Sequence, residues 1–307
     1  MPKKVTLKDI AAKAGLSPAS VSMILNRRSI DRFNAETVEQ VYAIAAELGY
    51  KSSKEKAYAL VRPSDTLIII ICPSLFNPFY TTIIQGIEIA ARKQGFVTSV
   101  RTTYWDTDTE KFIMEQARKF NVAGVIFAMI PQQPQLAYQL SKYLPVVAIG
   151  DRRSDLELAT VDMNNFTAGQ LIGKHLTDLG HKQVAYLSTT LNDQHTSRVR
   201  RYQGLEDACK AAGAKLALFT REITSDYELS HVEVEYSTGY ELAKRCLEAA
   251  PETTAMVAIN DMVAYGAYNA IIDRGLKIPE DISLCGFDNI FPSHLRGVSL
   301  TTIDNSL

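Results

Sequence analysis

VTLKDIAAKAGLSPASVSMILN, residues 5–26, reads as two short helices joined by a glycine turn, and that reading decides the architecture of the N-terminal end. Thr6 offers a capping oxygen just before Leu7, Ile10, Ala11 and Ala14, whose three- and four-residue spacing puts them on one helical face. Gly15 then supplies the left-handed backbone that ends the helix. Ser17 followed by Pro18 is a fresh start: a capping hydroxyl, then proline where a missing N–H costs nothing. The second helix is predicted to run to about Asn26 with Val21, Ile24 and Leu25 inward. Pro18, Ala19, Ser20, Ser22, Met23 and Asn26 then lie outward or at the flanks. A third helix is expected from near Asn34, burying Val38, Val41, Ile44, Ala45 and Leu48 and stopping at Gly49. Small polar residues on the exposed start of the second helix fit a helix-turn-helix that enters a major groove. A small helical bundle that only mediates contacts would carry the same pattern.

Charge supports the first of these. The chain of 307 residues holds 33 Lys+Arg against 34 Asp+Glu. Residues 1–62 nevertheless carry eleven basic and six acidic side chains, a net of +5, and the remaining 245 residues carry −6. A basic head on an acidic body suits a chain that holds a polyanion at one end. The balance excludes a uniformly basic nucleic-acid coat and an acidic disordered chain. Cys72, Cys209, Cys246 and Cys285 form no CxxC pair and read as reduced thiols of a core. The start MPKKVTLKDI lacks the apolar segment of a secretory signal, and no stretch reaches the ~18–20 apolar residues of a membrane span. A cytoplasmic location with no membrane partner is expected.

After residue 66 short apolar runs alternate with helical stretches. LIIII (67–71) is a β-branched run of the kind a parallel strand buried on both faces requires, and similar runs recur at 124–128, 146–149, 184–187, 256–259 and 282–287. Several intervening helical segments end at glycines, namely Gly95, Gly180, Gly213 and Gly275. Repeated strand–helix alternation means doubly wound α/β layers, and about 245 residues leave room for two subdomains with a cleft between them. The first crossing is expected near 162–164. Ligands of such sheets sit beyond the carboxyl ends of strands. Ser74, Phe76, Asn77 and Phe79 follow the first strand, Trp105 and Asp106 the second, and Met129, Asp151, Arg201, Asn260, Asp261 and Asp288 later ones. Flat aromatic faces with carboxylates, an amide and a guanidinium suit a polyhydroxylated ring or a planar base. Asn77 and Asp261 can equally be helix caps, and Trp105 can stack on a sugar or simply pack.

The string at 5–26, followed by AETVEQVYAIAAELGY (35–50), closely resembles the DNA-binding domain of the lactose-repressor-type (LacI/GalR) family of bacterial transcription regulators. The resemblance extends through NPFY (77–80), LTDLGHKQVAYL (176–187), INDMVAYGA (259–267), IPEDISLCGFDN (278–289) and LTTID (300–304). It implies a three-helix helix-turn-helix domain, residues 1–62 with a hinge at about 51–62, on a periplasmic-binding-protein-like body, residues 63–307. The body would divide into an N-subdomain of 63–162 plus 291–307 and a C-subdomain of 163–290. The relatives continue for about another helix and strand, so a truncated C-terminus is expected.

By resemblance, Ser17, Pro18, Ala19, Ser20 and Ser22 face the major groove, Thr6 belongs to the same surface, and Asn26 lies near a phosphate. Met23 stands where the family usually has arginine, which leaves Arg27 and Arg28 to supply part of that contact. On composition KSSKEKAYALVR (51–62) reads as a solvated linker. By resemblance it is a hinge helix whose Leu60 wedges into the minor groove. Arg201, with Gly204 three residues on, matches the family's effector-binding arginine. Asn260 and Asp288 match two further polar ligands, and Ser74, Phe76 and Phe79 the near wall; Asp106 joins this candidate set.

Enzymes leave marks that are missing here: no GxGxxG after a strand, GxxxxGK[ST], GxSxG or HExxH. His181 follows the C-terminal glycine of a helix, where a structural role suffices. A sugar-transport receptor would share the body but needs export and no DNA-binding head. The expectation is therefore a repressor, not an enzyme, that binds a palindromic operator on double-stranded DNA as a homodimer. It would need no cofactor and would be controlled by a small molecule between the subdomains. A sugar or sugar phosphate is the first choice of effector, with a purine or a regulatory partner protein behind it.

Overall fold

Three helices build the described part of the N-terminal unit: α1 (Leu7–Ala14), α2 (Pro18–Leu25) and α3 (Ala35–Glu47). This is a computed structural model that describes residues 5–25, 33–48, 50, 66–120, 122–150, 158–192 and 195–305. Local chemistry starts each helix. The Asp9 carboxylate accepts the Thr6 N–H at 2.7 Å and hydroxyl at 2.6 Å, Ser17 Oγ accepts the Ser20 N–H at 3.0 Å, and Asn34 Oδ1 accepts the Thr37 N–H at 2.7 Å. Gly15, at φ 66°, ends α1 in the left-handed conformation expected of it. The core gathers Ile10, Ala11, Val21, Ile24, Val41, Ile44 and Ala45, with Leu25, Val38 and Leu48 only partly buried at its margin. The Tyr42 hydroxyl donates to the Ile24 carbonyl at 3.0 Å and so ties α3 to the last turn of α2. Gly49 and the proposed hinge at 51–62 lie outside the described residues.

The chain divides into two compact units, Met1–Pro63 and Ser64–Leu307. The second holds two parallel five-stranded sheets. In the first lobe β1 (Leu67–Cys72), β2 (Val97–Thr102), β3 (Gly124–Phe127), β4 (Val146–Gly150) and β5 (Ala159–Asp162) lie in the order β2-β1-β3-β4-β5. The second lobe contains β6 (Gln183–Ser188), β7 (Lys215–Thr220), β8 (Ala255–Ala258), β9 (Ser283–Phe287) and β10 (Thr301–Ile303), in the order β10-β9-β8-β6-β7. The helices of the first lobe are α4 (Pro78–Lys93), α5 (Thr107–Phe120) and α6 (Pro134–Ser141). Those of the second are α7 (Asn165–Asp178), α8 (Thr196–Ala211), α9 (Ser225–Ser230), α10 (Val234–Ala249) and α11 (Asp261–Asp273).

Alternate residues of β1 show the layering. Ile69 and Ile71 pack with Ile113, Met114 and Ala137 of α5 and α6, whereas Ile70 and Cys72 pack with Ile83 and Ile84 of α4. Both sheet faces are covered, which is why β1 reads as an unbroken apolar run. The six runs read from the sequence are the three interior strands of each sheet. The edge strands β2, β5, β7 and β10 are half exposed, and of these β7 alone carries a comparable run, LALF at 216–219.

The expected assignment of 291–307 to the first lobe is corrected. Thr301 pairs with Cys285 and Ile303 with Phe287, so this segment completes the second sheet. Asp261 causes the return: its buried carboxylate accepts the Ile290 N–H at 3.0 Å, the Ser293 hydroxyl at 2.7 Å and the Thr302 hydroxyl at 2.7 Å. Asp261 is therefore neither the cap of α11 nor a cleft residue. All four cysteines are free and buried. Among the described residues no helix is long and apolar enough to cross a membrane.

Two helix pairs of the second lobe touch backbone to backbone. A Cβ on Gly204 would lie 2.0 Å from the Phe166 carbonyl oxygen, and one on Gly169 would lie 2.1 Å from that of Arg201. Gly239 and Gly266 set the same kind of crossing between α10 and α11, with 2.0 Å and 1.9 Å to the Val263 and Tyr236 oxygens. Glycine is required at these crossings for closeness rather than for turning.

Candidate ligand-binding cleft

Arg201 enters the cleft from the first turns of α8, at the depth that the Gly169–Gly204 crossing sets. Its Nε donates to Asn165 Oδ1 at 2.7 Å, Nη1 to the Ile259 carbonyl at 2.6 Å and Nη2 to Asp288 Oδ1 at 3.0 Å. The guanidinium also lies 4.6 Å from the Phe287 ring centroid. Asp288 is buried and accepts from Asn305 Nδ2 at 3.0 Å as well. Burial pushes its carboxyl upward, while the Arg201 charge and the Arg201 and Asn305 hydrogen bonds pull it back. A buried ion pair of this kind needs all of these partners, because each unmatched charge would carry a desolvation penalty of several kcal/mol, about 3–5 when one partner is removed.

Glu235, in the first turn of α10, joins the two lobes. Its Oε1 accepts from Asn260 Nδ2 at 2.7 Å and its Oε2 from Asn77 Nδ2 at 2.8 Å. Both asparagines also cap: Asn77 Oδ1 accepts the Phe79 N–H at 3.0 Å, and Asn260 Oδ1 the Val263 N–H at 2.9 Å. Each amide thus serves as cap and as cleft donor. Burial raises the Glu235 carboxyl, opposed by the Arg198 charge and the two amides. Glu228 is pushed up to about 7 by burial and by Glu235, with Arg198 acting against both.

The wall on the first lobe is aromatic. Trp105 lies 4.6 Å from the His195 ring and 5.1 Å from the Arg198 guanidinium, and its carbonyl accepts from Ser225 Oγ at 3.1 Å. Burial first, and then the Arg198 charge, push His195 down to about 3, so its imidazole stays neutral. Tyr104 (φ 50°) and Trp105 (φ 57°) are consecutive non-glycine residues in the left-handed region, and Asp288 (φ 105°) and Asn289 (φ 48°) repeat this beyond β9. Such backbone costs about 1–3 kcal/mol per residue and gathers at sites where geometry is constrained.

Phe79, Arg201, Asn260 and Asp288 line one cavity, together with Asn77, Trp105 and Met129. Ser74 and Phe76 line an adjoining one. Asp106 is a correction: its Oδ1 accepts the Thr109 N–H at 2.6 Å at the start of α5, hydrogen bonding by the Thr109 side chain and then by this N–H lowers its carboxyl, and it is not among the residues lining either cavity. Asp151 lies outside the described residues.

The sequence reading passes over Glu235, Asn165, His195 and Arg198. Arg198 and Arg201 are one helical turn apart at the start of α8, a spacing that could have flagged the first from the second. Glu235 had no such signal, because β7 was not recognised and the strand-end rule never reached the segment after it.

In the N-terminal unit, Thr6, Ser17, Pro18 and Ala19 are exposed, and Ser20, Ser22 and Met23 are half-buried. The start of α2 is thus the part open to a partner. Asn26, Arg27, Arg28 and Leu60 lie outside the described residues.

Residues 65–307 match the family model of periplasmic binding proteins and the sugar-binding domain of the LacI family, and residues 6–53 match that of bacterial regulatory proteins of the lacI family. The chain belongs to the LacI family. It is 31% identical over 306 residues to the HTH-type transcriptional repressor PurR of Mannheimia succiniciproducens, covering 98% of this chain and 87% of the relative. Among solved structures, the lac repressor dimer bound to operator and the anti-inducer ONPF is similar, with 25% identity, a TM-score of 0.66 and coverage of 98% of this chain and 88% of that one. A LacI family transcriptional regulator from Enterococcus faecium with bound ribose gives 26% identity and a TM-score of 0.64 over 78% of this chain and 84% of that one. The family resemblance and the two-part fold expected from the sequence are borne out. This LacI-family chain is a DNA-binding transcription regulator, not an enzyme.

Proposed function

We propose that this regulator is a repressor that binds a palindromic operator as a homodimer and that a neutral sugar in the cleft controls its grip. The observation that carries the ligand reading is the convergence of Arg201, Asp288, Asn260, Asn77 and Glu235 beside the faces of Trp105 and Phe79. Carboxylates, amides and a guanidinium beside aromatic faces match the alternating hydroxyls and C–H faces of a sugar. A sugar phosphate fits less well: three of the five Arg201 N–H donors are already committed to protein acceptors, and Glu228 and Glu235 lie close to Arg198. A purine also presents a flat face to Trp105 and is the competing occupant.

On the DNA side, the exposed Thr6, Ser17, Pro18 and Ala19 with Ser20, Ser22 and Met23 are the proposed base-reading surface, followed by Asn26 and Arg27 at the backbone and Leu60 in the minor groove. The net +5 of residues 1–62 makes binding steeply salt-dependent. A sugar changes that binding only by its differential affinity for two shapes of the body. Selection of DNA sites from a random pool, with and without sugars, tests both halves. The expected result is an inverted repeat whose recovery changes with one class of sugar. A pool that never enriches a two-fold symmetric site would overturn the proposal.

A further inference from the structure

Beside Trp105 the cleft adjoins a second cavity of about 300 Å³, whereas the inner one encloses only about 80 Å³. The two share walls: Asn77, Tyr80, Trp105 and Glu235 line both. Small-molecule sites usually span roughly 300–1,000 Å³, so the inner cavity alone falls well short and the pair together reach that range. The outer cavity is built differently. Phe76 and Tyr104 flank it from the first lobe, Leu229 and Val232 from the second, and among the described residues the only charged side chains lining it are Glu228 and Glu235. Phe76, Leu229 and Val232 are 41%, 61% and 65% exposed, a concentration of large apolar side chains at the mouth of a polar cleft. The left-handed turn at Tyr104 and Trp105 sets both rings there, held by the Tyr104 N–H donating to the Pro73 carbonyl at 2.8 Å.

We infer that the outer cavity is a second ring subsite, so that the effector is an uncharged glycoside of two ring units, one on the polar floor and one between Phe76, Tyr104 and Trp105. The inference rests on the sugar reading of the cleft and extends it. The C–H face of a second sugar ring, or an aryl group, covers the exposed apolar surface. No lysine or arginine lines the cavity among the described residues to pair a phosphorylated unit, and Glu228 and Glu235 repel it where they are ionised.

Trp105 is the single tryptophan of the chain and lines both cavities, so its emission reports occupancy of either. The full chain is titrated with cellobiose, maltose, lactose and sucrose, with glucose, galactose and fructose, and with glucose 6-phosphate. At least one disaccharide is expected to bind about tenfold or more tighter than its halves, a difference that one added aromatic stack can supply. Leu229→Ser, or Val232→Ser as an independent exposed variant, should remove that gain and leave monosaccharide binding as it was. Glucose 6-phosphate should bind no tighter than glucose. Disaccharides that bind no better than their halves, or a Leu229→Ser or Val232→Ser variant that weakens both equally, would overturn the subsite while leaving the sugar reading intact. Silence toward every sugar from a chain shown to be folded would overturn the sugar reading, and the subsite with it.

Discussion

The first lobe contributes Phe79, Tyr80, Trp105, Met129 and Ile149 to the cleft, and the second contributes Arg201, Glu235, Asn260 and Asp288. Both lobes use the same winding: counted along the chain within each lobe, the strand order is second, first, third, fourth, fifth in both sheets. One topology thus carries an apolar wall in one copy and a buried polar floor in the other. The floor is the demanding half, since a buried guanidinium and its carboxylate must be held where all their hydrogen bonds close. The two glycine crossings, α7 on α8 and α10 on α11, provide that rigidity behind Arg201 and Glu235. The apolar wall requires only complementary surface. A ligand that bridges the two is therefore bound by a prepared floor and capped by a wall, and the Asn77–Glu235 and Ser225–Trp105 hydrogen bonds link the lobes.

The strongest way to break this contrast is at the glycines. Gly204→Val places a branched side chain against the Phe166 carbonyl 2.0 Å from its Cβ, and should cost about 4 kcal/mol or more, read as loss of cooperative unfolding or of soluble protein. Gly86→Ala in α4 of the first lobe meets no atom within 4 Å and should instead stabilise by about 0.4–1 kcal/mol in the same denaturant titration. Equal effects at the two sites would erase the difference in rigidity.

Arg201→Ala comes next. It leaves Asp288 buried without its ion partner, at a cost of about 3–5 kcal/mol, and should abolish the Trp105 response to sugars. Arg201→Lys should not restore that response, because an ammonium cannot serve Asn165, Ile259 and Asp288 at once. Intact sugar binding in Arg201→Ala would remove the floor from the account.

The smallest effect is a pH dependence. Glu228 is raised from its ordinary 4.5 to about 7, so between these values the folded chain binds a proton that the unfolded chain has released. Stability from this group is present below about pH 4.5 and is lost as pH rises toward 7. His195, lowered to about 3, acts oppositely: its contribution is present above about 6.5 and is lost as pH falls toward 3. Glu228→Gln should therefore gain stability relative to the parent chain as pH rises from 4.5 to 7, measured by thermal unfolding across that range. A constant difference would show that Glu228 does not titrate in this way.

Much of this was legible in the residues. Thr6, Gly15, Ser17 and Pro18 announce α1 and α2 because capping and turn chemistry act within four residues. The six interior strands announce themselves because burial on both faces leaves no polar position. The edge strands β5 and β10 do not, since one side of each meets water or a loop; β7 was passed over although LALF (216–219) is apolar, and with it Glu235. Asp106 went astray because an aspartate just before a helix reads the same whether it caps or binds. The 291–307 segment went to the wrong lobe because nothing local in it says which sheet edge it will join.

The chain's own order of residues decided that a basic three-helix head precedes two wound layers, and it marked Arg201, Asn260 and Asp288 as residues beyond strand ends. Folding alone decided that Glu235 meets Asn77, 158 residues away, that Asp261 draws β10 onto the second sheet, and that Trp105 stands between two cavities. The reason is range: caps, turns and periodic burial are set by neighbours a few bonds apart, whereas these encounters depend on how whole lobes pack, which no short stretch encodes.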